Sequence, residues 1–285
     1  MRVMLWAKSG ARGTVLLVPG RAEFIERYFE VIAELRERDF AVAILDHRNH
    51  GLSSRPLDNP QKHHLRDLAP MVDDLAQILE TVIAPDMPAP VSLLAHSMGA
   101  HVALRLLHDR PGIVTHAVLT SPMIGIRTAP LPGSVAARLA ALACRLGFEE
   151  RYAPGQKDWQ TGLPRELLRR RLTSDADRFA DEDWQVLRNP ALKLGGVTYG
   201  WLDAAYRSIR LLERPGYAEA IATASLFVLA GREKVVDTRA ARRLARRMPH
   251  AEIVEIDGAM HEILRERDAL RRQFWQAFDR FMIRG

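Results

Sequence analysis

The apolar positions of this chain follow two rhythms. Four short runs, Thr14–Val18, Phe40–Leu45, Val91–Leu94 and His116–Thr120, are rich in β-branched residues and mostly apolar, as strands buried on both faces are. Between them, apolar residues recur every three or four positions. Glu26–Arg38 carries Tyr28, Phe29, Val31, Ile32 and Leu35. Asp67–Ile83 carries Leu68, Met71, Val72, Leu75, Ile78, Leu79 and Val82, and Ala100–Leu107 follows the third apolar run. These spacings predict amphipathic helices. Pro19-Gly20 and the Pro85–Pro90 stretch mark loops between them. Alternation of this kind predicts an α/β fold on a mostly parallel, doubly wound sheet.

The alternation stops at Pro122. From there to about Ala222 the pattern gives helical pieces and loops with no convincing apolar strand, and Trp159, Trp184, Tyr199, Trp201 and Tyr206 gather there. It resumes with a strand at Ser225–Ala230, a helix at Thr238–Met248, a strand at Ala251–Ile256 and a helix at Ala269–Ile283. The expected organisation is a core of residues 1–121 and 223–285, with residues 122–222 inserted as a helical cap. A cap over a sheet edge encloses a pocket and excludes water. Any one of its aromatics is explained equally by the cap's own core.

Composition narrows the setting. With 285 residues and 47% hydrophobic positions the chain can bury a sizeable core, and global disorder is excluded. The single cysteine, Cys144, rules out an internal disulfide and fits a reducing, cytoplasmic compartment. The run Met1–Lys8 is too short for a signal peptide, and no stretch approaches transmembrane length. Net charge is +6, with arginines clustered at Arg169-Arg170-Arg171, Arg242-Arg243 and Arg246-Arg247. Such clusters suit peripheral contact with an anionic membrane, although solvated helix faces account for them more simply. Nothing resembling zinc-finger spacing or an RNA-binding aromatic signature is present, so nucleic acid is not an expected partner.

The chemistry concentrates at Ala95-His96-Ser97-Met98-Gly99, between the Val91–Leu94 strand and the Ala100–Leu107 helix. Small-x-Ser-x-small at a strand-to-helix turn is a nucleophile elbow. The turn pushes the Ser97 hydroxyl clear of the sheet edge and leaves the Met98 N–H at a helix start, where developing negative charge is favoured. Serine needs a base, and the base needs an acid to orient it. His261 alone among the histidines follows the last predicted strand, so it is the expected base; His250 precedes that strand. Glu233 and Asp237 both follow the penultimate strand. Glu233 is nearer the strand end, whereas Asp237 stands where it would cap the next helix. Met98 and Arg21 are the expected N–H donors to an oxyanion, Arg21 because it follows the strand ending at Val18. Losing one such donor costs roughly 3–4 kcal/mol of transition-state stabilisation. His96 and Gly20 are expected at the substrate, His96 with packing on a neighbouring strand as the alternative.

Several segments together resemble a known family. Val18-Pro19-Gly20-Arg21-Ala22-Glu23-Phe24, Asp46-His47-Arg48-Asn49-His50-Gly51-Leu52-Ser53-Ser54, the elbow, Gly231–Asp237 and Gly258-Ala259-Met260-His261-Glu262 are similar to the bacterial lysophospholipase and monoacylglycerol-lipase branch of the α/β-hydrolases, of the serine aminopeptidase S33 type. The resemblance runs through nearly the whole sheet domain and is thinner in the insertion. It implies an α/β-hydrolase fold, Ser97 as nucleophile and His261 as base. The family's Asp-Arg-x-Val-Asp segment reads Glu233-Lys234-Val235-Val236-Asp237 here, so Glu233 takes the place of the catalytic aspartate with one more methylene. Asn49 stands where the family often has glycine. Asp46–Ser53 reads as a structural turn, with neither Asp46 nor Arg48 catalytic.

The expected activity is hydrolysis of a carboxylic ester, that of a single-chain lipid such as a lysophospholipid or monoacylglycerol. A non-lipid esterase or an acyltransferase would use the same residues. From a different class, a catalytically silent binding protein could occupy the same scaffold. No metal is expected: His261-Glu262 is not followed by a second histidine, because position 265 is arginine. His63-His64 reads as an exposed pair in a loop. No phosphate-cradling loop or dinucleotide fingerprint occurs, so no cofactor is expected.

Overall fold

A computed structural model describes residues 1–128 and 130–283. Its centre is a seven-stranded sheet of order β1-β3-β2-β4-β5-β6-β7. The strands are β1 (Arg2–Trp6), β2 (Thr14–Val18), β3 (Ala41–Asp46), β4 (Val91–His96), β5 (His116–Thr120), β6 (Ala224–Ala230) and β7 (Ala251–Ile256). All neighbours pair in parallel except β1, which runs antiparallel along β3.

The helices are α1 (Phe29–Glu37), α2 (Ala69–Ile78), α3 (Ala84–Asp86), α4 (Met98–Asp109), α5 (Gly133–Arg145), α6 (Leu163–Leu172), α7 (Ala176–Arg188), α8 (Tyr199–Leu212), α9 (Thr238–Ala245) and α10 (Asp268–Ile283). Alternate residues of each central strand feed opposite layers. Val15, Leu17, Val42, Ile44, Val118 and Val228 meet Val31, Leu35, Phe274 and Phe278 of α1 and α10. Leu16, Val18, Ala43, Leu93, Leu119 and Phe227 meet Leu75, Val102, Leu106 and Leu244 of α2, α4 and α9. Burial on both faces is why these strands read as unbroken apolar runs.

Three differences from the sequence reading have physical causes. β1 lies at the sheet edge, half-buried along most of its length, so it carries neither a continuous apolar run nor a clean alternation. Ile25–Tyr28 is a 3-10 turn, and α1 begins only at Phe29. The long helix from Asp67 begins as α2 at Ala69, then widens into a π turn at Leu79–Ile83 before α3 and Pro85, so its apolar spacing runs on past the α-helical part.

Asp46, at the end of β3, anchors the loops beneath the site. Its carboxylate accepts from Ile25 N and Leu52 N, both at 2.9 Å, and from Arg2 Nη1 at 3.2 Å. Ser53 Oγ donates to the Asp46 carbonyl at 2.6 Å. Gly51 has φ +50°, and a Cβ there would collide with the Asp46 carboxylate.

Between β5 and β6 run α5 to α8. α5 packs along α8, while α7 reaches the Ile25–Tyr28 turn. His63 and His64 are not the exposed pair expected from their loop. Both are buried, because the loop is stitched under the inserted segment: His63 N donates to Gly196 O at 3.1 Å, Thr198 N donates to His63 O at 3.1 Å, and His64 Nδ1 meets Thr198 Oγ1 at 2.9 Å.

Candidate active site

Ser97 sits at the turn from β4 into α4 with φ +51° and ψ −113°, a strained conformation kept where the surroundings over-determine it. Two features hold the turn. Ser97 N donates to Thr120 O at 3.0 Å. Gly99 lets α4 press against the end of β2, where a Cβ would run into the Val18 and Pro19 carbonyl oxygens. Ala95 suffices at the other small position because it is a fully buried strand residue paired with Val18.

Three side chains from three strand ends meet here. Ser97 Oγ donates to His261 Nε2 at 2.9 Å, and His261 Nδ1 donates to Glu233 Oε2 at 2.9 Å. The other Glu233 oxygen accepts from Val235 N at 2.7 Å and Val236 N at 3.2 Å. The longer glutamate side chain is thus fixed at both oxygens, one on the ring and one on its own loop. Burial alone would push the Glu233 carboxyl pKa up, but the charge and hydrogen bond of His261 and the two backbone N–H groups bring it down to about 2. Burial works against a charged His261 too, and Glu233 reverses that, so the imidazole pKa is raised. Such a relay can draw a proton from a serine hydroxyl as the oxygen attacks a carbonyl.

Asp237 has a different task. Its carboxylate accepts from Arg239 N at 2.8 Å and Ala240 N at 3.2 Å, capping α9. His96 lines the cavity above Ser97, with its ring 4.9 Å from that of His261, and its Nδ1 meets Thr120 Oγ1 of β5 at 3.1 Å. Burial lowers its pKa. Met98 is the first residue of α4, so its N–H has no preceding carbonyl of the helix to bond. Arg21 is part of the cavity wall. Gly20, expected to touch substrate, stands behind that wall instead: its N–H donates to the Glu23 carboxylate, and a Cβ there would lie 3.0 Å from both Glu23 and His96.

The cavity has a volume of about 1120 Å³. One side is apolar, formed by Leu139, Leu142, Leu146 and Phe148 of α5 and its following turn with Tyr199, Trp201 and Leu202 of α8. Another part of the wall is ionic, with Arg27, Arg165, Glu182 and Glu262 in it and Arg265 joined to them from outside the lining. Arg27 meets Glu262 at 2.7 Å and Glu182 at 3.0 Å; Arg165 meets Glu182 at 2.6 Å; Arg265 meets Glu182 at 3.3 Å. All five are buried. This network ties α6 and α7 to the segment that carries His261, as do Glu262 N to Leu172 O at 2.8 Å and Thr173 Oγ1 to Arg265 O at 2.8 Å. Sequence reasoning did not find it. Its members are far apart in the chain, and the one local hint is the spacing of Glu23 and Arg27 by four residues.

A mostly parallel sheet with an elbow serine, a histidine after the last strand and an acid after the one before defines an α/β-hydrolase of the serine type. Residues 9–268 match the serine aminopeptidase S33 family, and the chain belongs to that family. It is 32% identical to the probable lysophospholipase L2 of Haemophilus influenzae, over 99% of this chain and 87% of that one. It is also 32% identical to lysophospholipase L2 of Escherichia coli K12, over 90% of this chain and 76% of that one. Among solved structures, a soluble variant of monoglyceride lipase from Saccharomyces cerevisiae superposes with a TM-score of 0.77 at 18% identity, covering 98% of this chain and 90% of the other, which shows the shared fold. The protein is a carboxylic ester hydrolase of this class. Among the described residues no helix is long and apolar enough to cross a membrane.

Proposed function

We propose that the protein hydrolyses the acyl ester of a single-chain lipid, a lysophospholipid or a monoacylglycerol, with Ser97, His261 and Glu233 as its catalytic triad. The observation that carries the lipid reading is the apolar side of the cavity. Leu139, Leu142, Leu146 and Phe148 are 48%, 52%, 61% and 39% exposed, and all four face the cavity that holds Ser97. Apolar surface left open beside a nucleophile is suited to an acyl chain, whose burial there is favourable by about 0.8 kcal/mol per methylene. The names of the lysophospholipase relatives support the same class of substrate.

Ser97 Oγ attacks the acyl carbon as its proton passes to His261 Nε2. Glu233 holds the ring and stabilises the imidazolium. The oxyanion is received by the N–H groups of Met98 and Arg21. His261 returns the proton to the departing alcohol, and the acyl-enzyme is then hydrolysed by water with His261 again as base. A fluorophosphonate should label the folded protein at Ser97, and the label should vanish in Ser97→Ala. An unlabelled native protein would favour a silent scaffold instead.

The protein also works at an anionic lipid surface in this account. Leu163, Leu167, Trp184 and Leu187 are more than half exposed on α6 and α7, outside the cavity wall. Arg170, Arg171 and Arg188 lie on the same two helices. Sedimentation with phosphatidylglycerol vesicles should exceed that with phosphatidylcholine vesicles and weaken with salt; equal binding to both would remove the electrostatic part.

A further inference from the structure

The ionic side of the cavity contains one arginine unlike the others. Arg27 and Arg165 each hold a buried carboxylate within 2.7 Å. Arg21 forms no ion pair within 4 Å among the described residues. Its guanidinium makes one hydrogen bond, from Nη1 to the Gly195 carbonyl at 3.0 Å, and the remaining donors belong to a side chain on the cavity wall. Burial and the like charge of Arg165 work against this cation, with Glu182 and Glu23 acting in the opposite sense at longer range; the net effect is to lower its pKa. A partly desolvated guanidinium without a carboxylate is a poor structural element and a ready receptor for an anion, above all one with the paired oxygens of a phosphate.

Its position specifies which anion. Arg21 directly follows Pro19-Gly20 at the end of β2, in a loop that lines the same cavity as Ser97 and packs against the elbow at Gly99. Its main chain and side chain therefore serve neighbouring parts of one ligand. In a lysophospholipid a glycerol unit separates the acyl ester from the phosphodiester, and the stem of an arginine is of similar length. With the ester at Ser97 and the acyl chain along α5, the phosphodiester falls beside Arg21, the one partly buried cation of the wall without an ion pair among the described residues. Arg127, Lys157, Arg171 and Lys234 also line the cavity without an ion pair but are exposed. An uncharged monoacylglycerol leaves the Arg21 guanidinium unpaired.

We propose that the Arg21 side chain binds the headgroup phosphodiester and sets a preference for lysophospholipid over monoacylglycerol. The assignment rests on the hydrolase reading above and adds a headgroup subsite to it. Pinning the 193–198 segment through Gly195 is the competing role, and it would not distinguish between substrates.

The test compares lysophosphatidylglycerol with a monoacylglycerol of the same acyl chain, for native protein, Arg21→Met and Arg21→Lys. The native protein should favour the lysophospholipid. Arg21→Met should lower the kcat/KM ratio of lysophospholipid to monoacylglycerol by about ten-fold or more, mainly through KM, and Arg21→Lys should restore part of it. An equal fall for both substrates, or no change in the ratio, overturns the subsite while leaving the hydrolase intact. Failure of the native protein to cleave either lipid overturns the hydrolase reading instead.

A binding arm is independent of turnover. Glycerophosphoglycerol, which has the phosphodiester and no acyl chain, should raise the Tm of Ser97→Ala protein and lose that effect when Arg21→Met is added. Inorganic phosphate distinguishes the source of the anion. A shift with phosphate equal to that with the diester would overturn headgroup recognition in favour of a general anion site, and no shift with the diester would overturn the subsite itself.

Discussion

In the proposed triad, Glu233 is the residue that fixes His261. Both of its oxygens are engaged, so its charge and its geometry act together on His261. Glu233→Gln keeps the shape and removes the charge. In the proposed triad kcat should fall by roughly 10³- to 10⁴-fold. The pH profile should change as well. His261 must be neutral to act as base, and Glu233 raises its pKa above the ordinary 6.5, so the acid limb of kcat/KM for native protein should lie above that value and move down in the variant. An unmoved limb would show that Glu233 does not set the ionisation of His261.

The same pair links stability to pH. The Glu233 carboxyl is held below its ordinary 4.5, at about 2, so its contribution is complete above 4.5 and is lost as pH falls through the lower value. His261 has the opposite sign: its contribution is complete below 6.5 and fades as pH rises through the raised value of the folded state. Tm measured against pH for native protein and Glu233→Gln should therefore converge at the acid end. The relay itself was largely readable from the chain, because an elbow motif and two strand-end loops place Ser97, His261 and Glu233 by topology. Glu23, Arg27 and Glu182 were not readable, because nothing local marks a charged residue as buried and paired across the fold.

Among the elements, α9 shows how a loop acid is assigned. Asp237 and Glu233 lie four residues apart after β6, yet one caps a helix and the other reaches His261. Asp237→Ala should cost about 1 kcal/mol of stability, seen as a lower urea midpoint, with kcat near the native value. A loss of kcat comparable to that of Glu233→Gln would reverse the two roles. Element type was legible where burial on both faces left a continuous apolar run, as in β2 and β4. It was least legible at the margins. β1 is an edge strand without a two-sided core, and the Leu79–Ile83 π turn keeps apolar spacing while changing its hydrogen bonds.

Across the whole molecule, the inserted segment joins the core in two ways. α6 and α7 are bound to the His261 segment by buried ions, whereas α5 is held largely by its packing along α8 and turns leucines into the cavity. Arg27 is the hub of the ionic side. Arg27→Met would leave Glu262 and Glu182 short of a partner in a buried place, with an expected cost of about 3–5 kcal/mol, measurable by urea unfolding. A cost under about 1 kcal/mol, as for an exposed pair, would show that the network is solvated in solution. The alternation of the chain predicted a sheet with an insertion. It held no sign of this asymmetry, which arises from pairings across more than two hundred residues.

The most direct test of the account is fatty-acid release from a lysophospholipid and from a monoacylglycerol of matched acyl chain, by native protein and by Ser97→Ala. Release from at least one lipid that disappears with Ser97 is the predicted result. Release that persists in Ser97→Ala, or native protein that frees no fatty acid from either lipid, would contradict it.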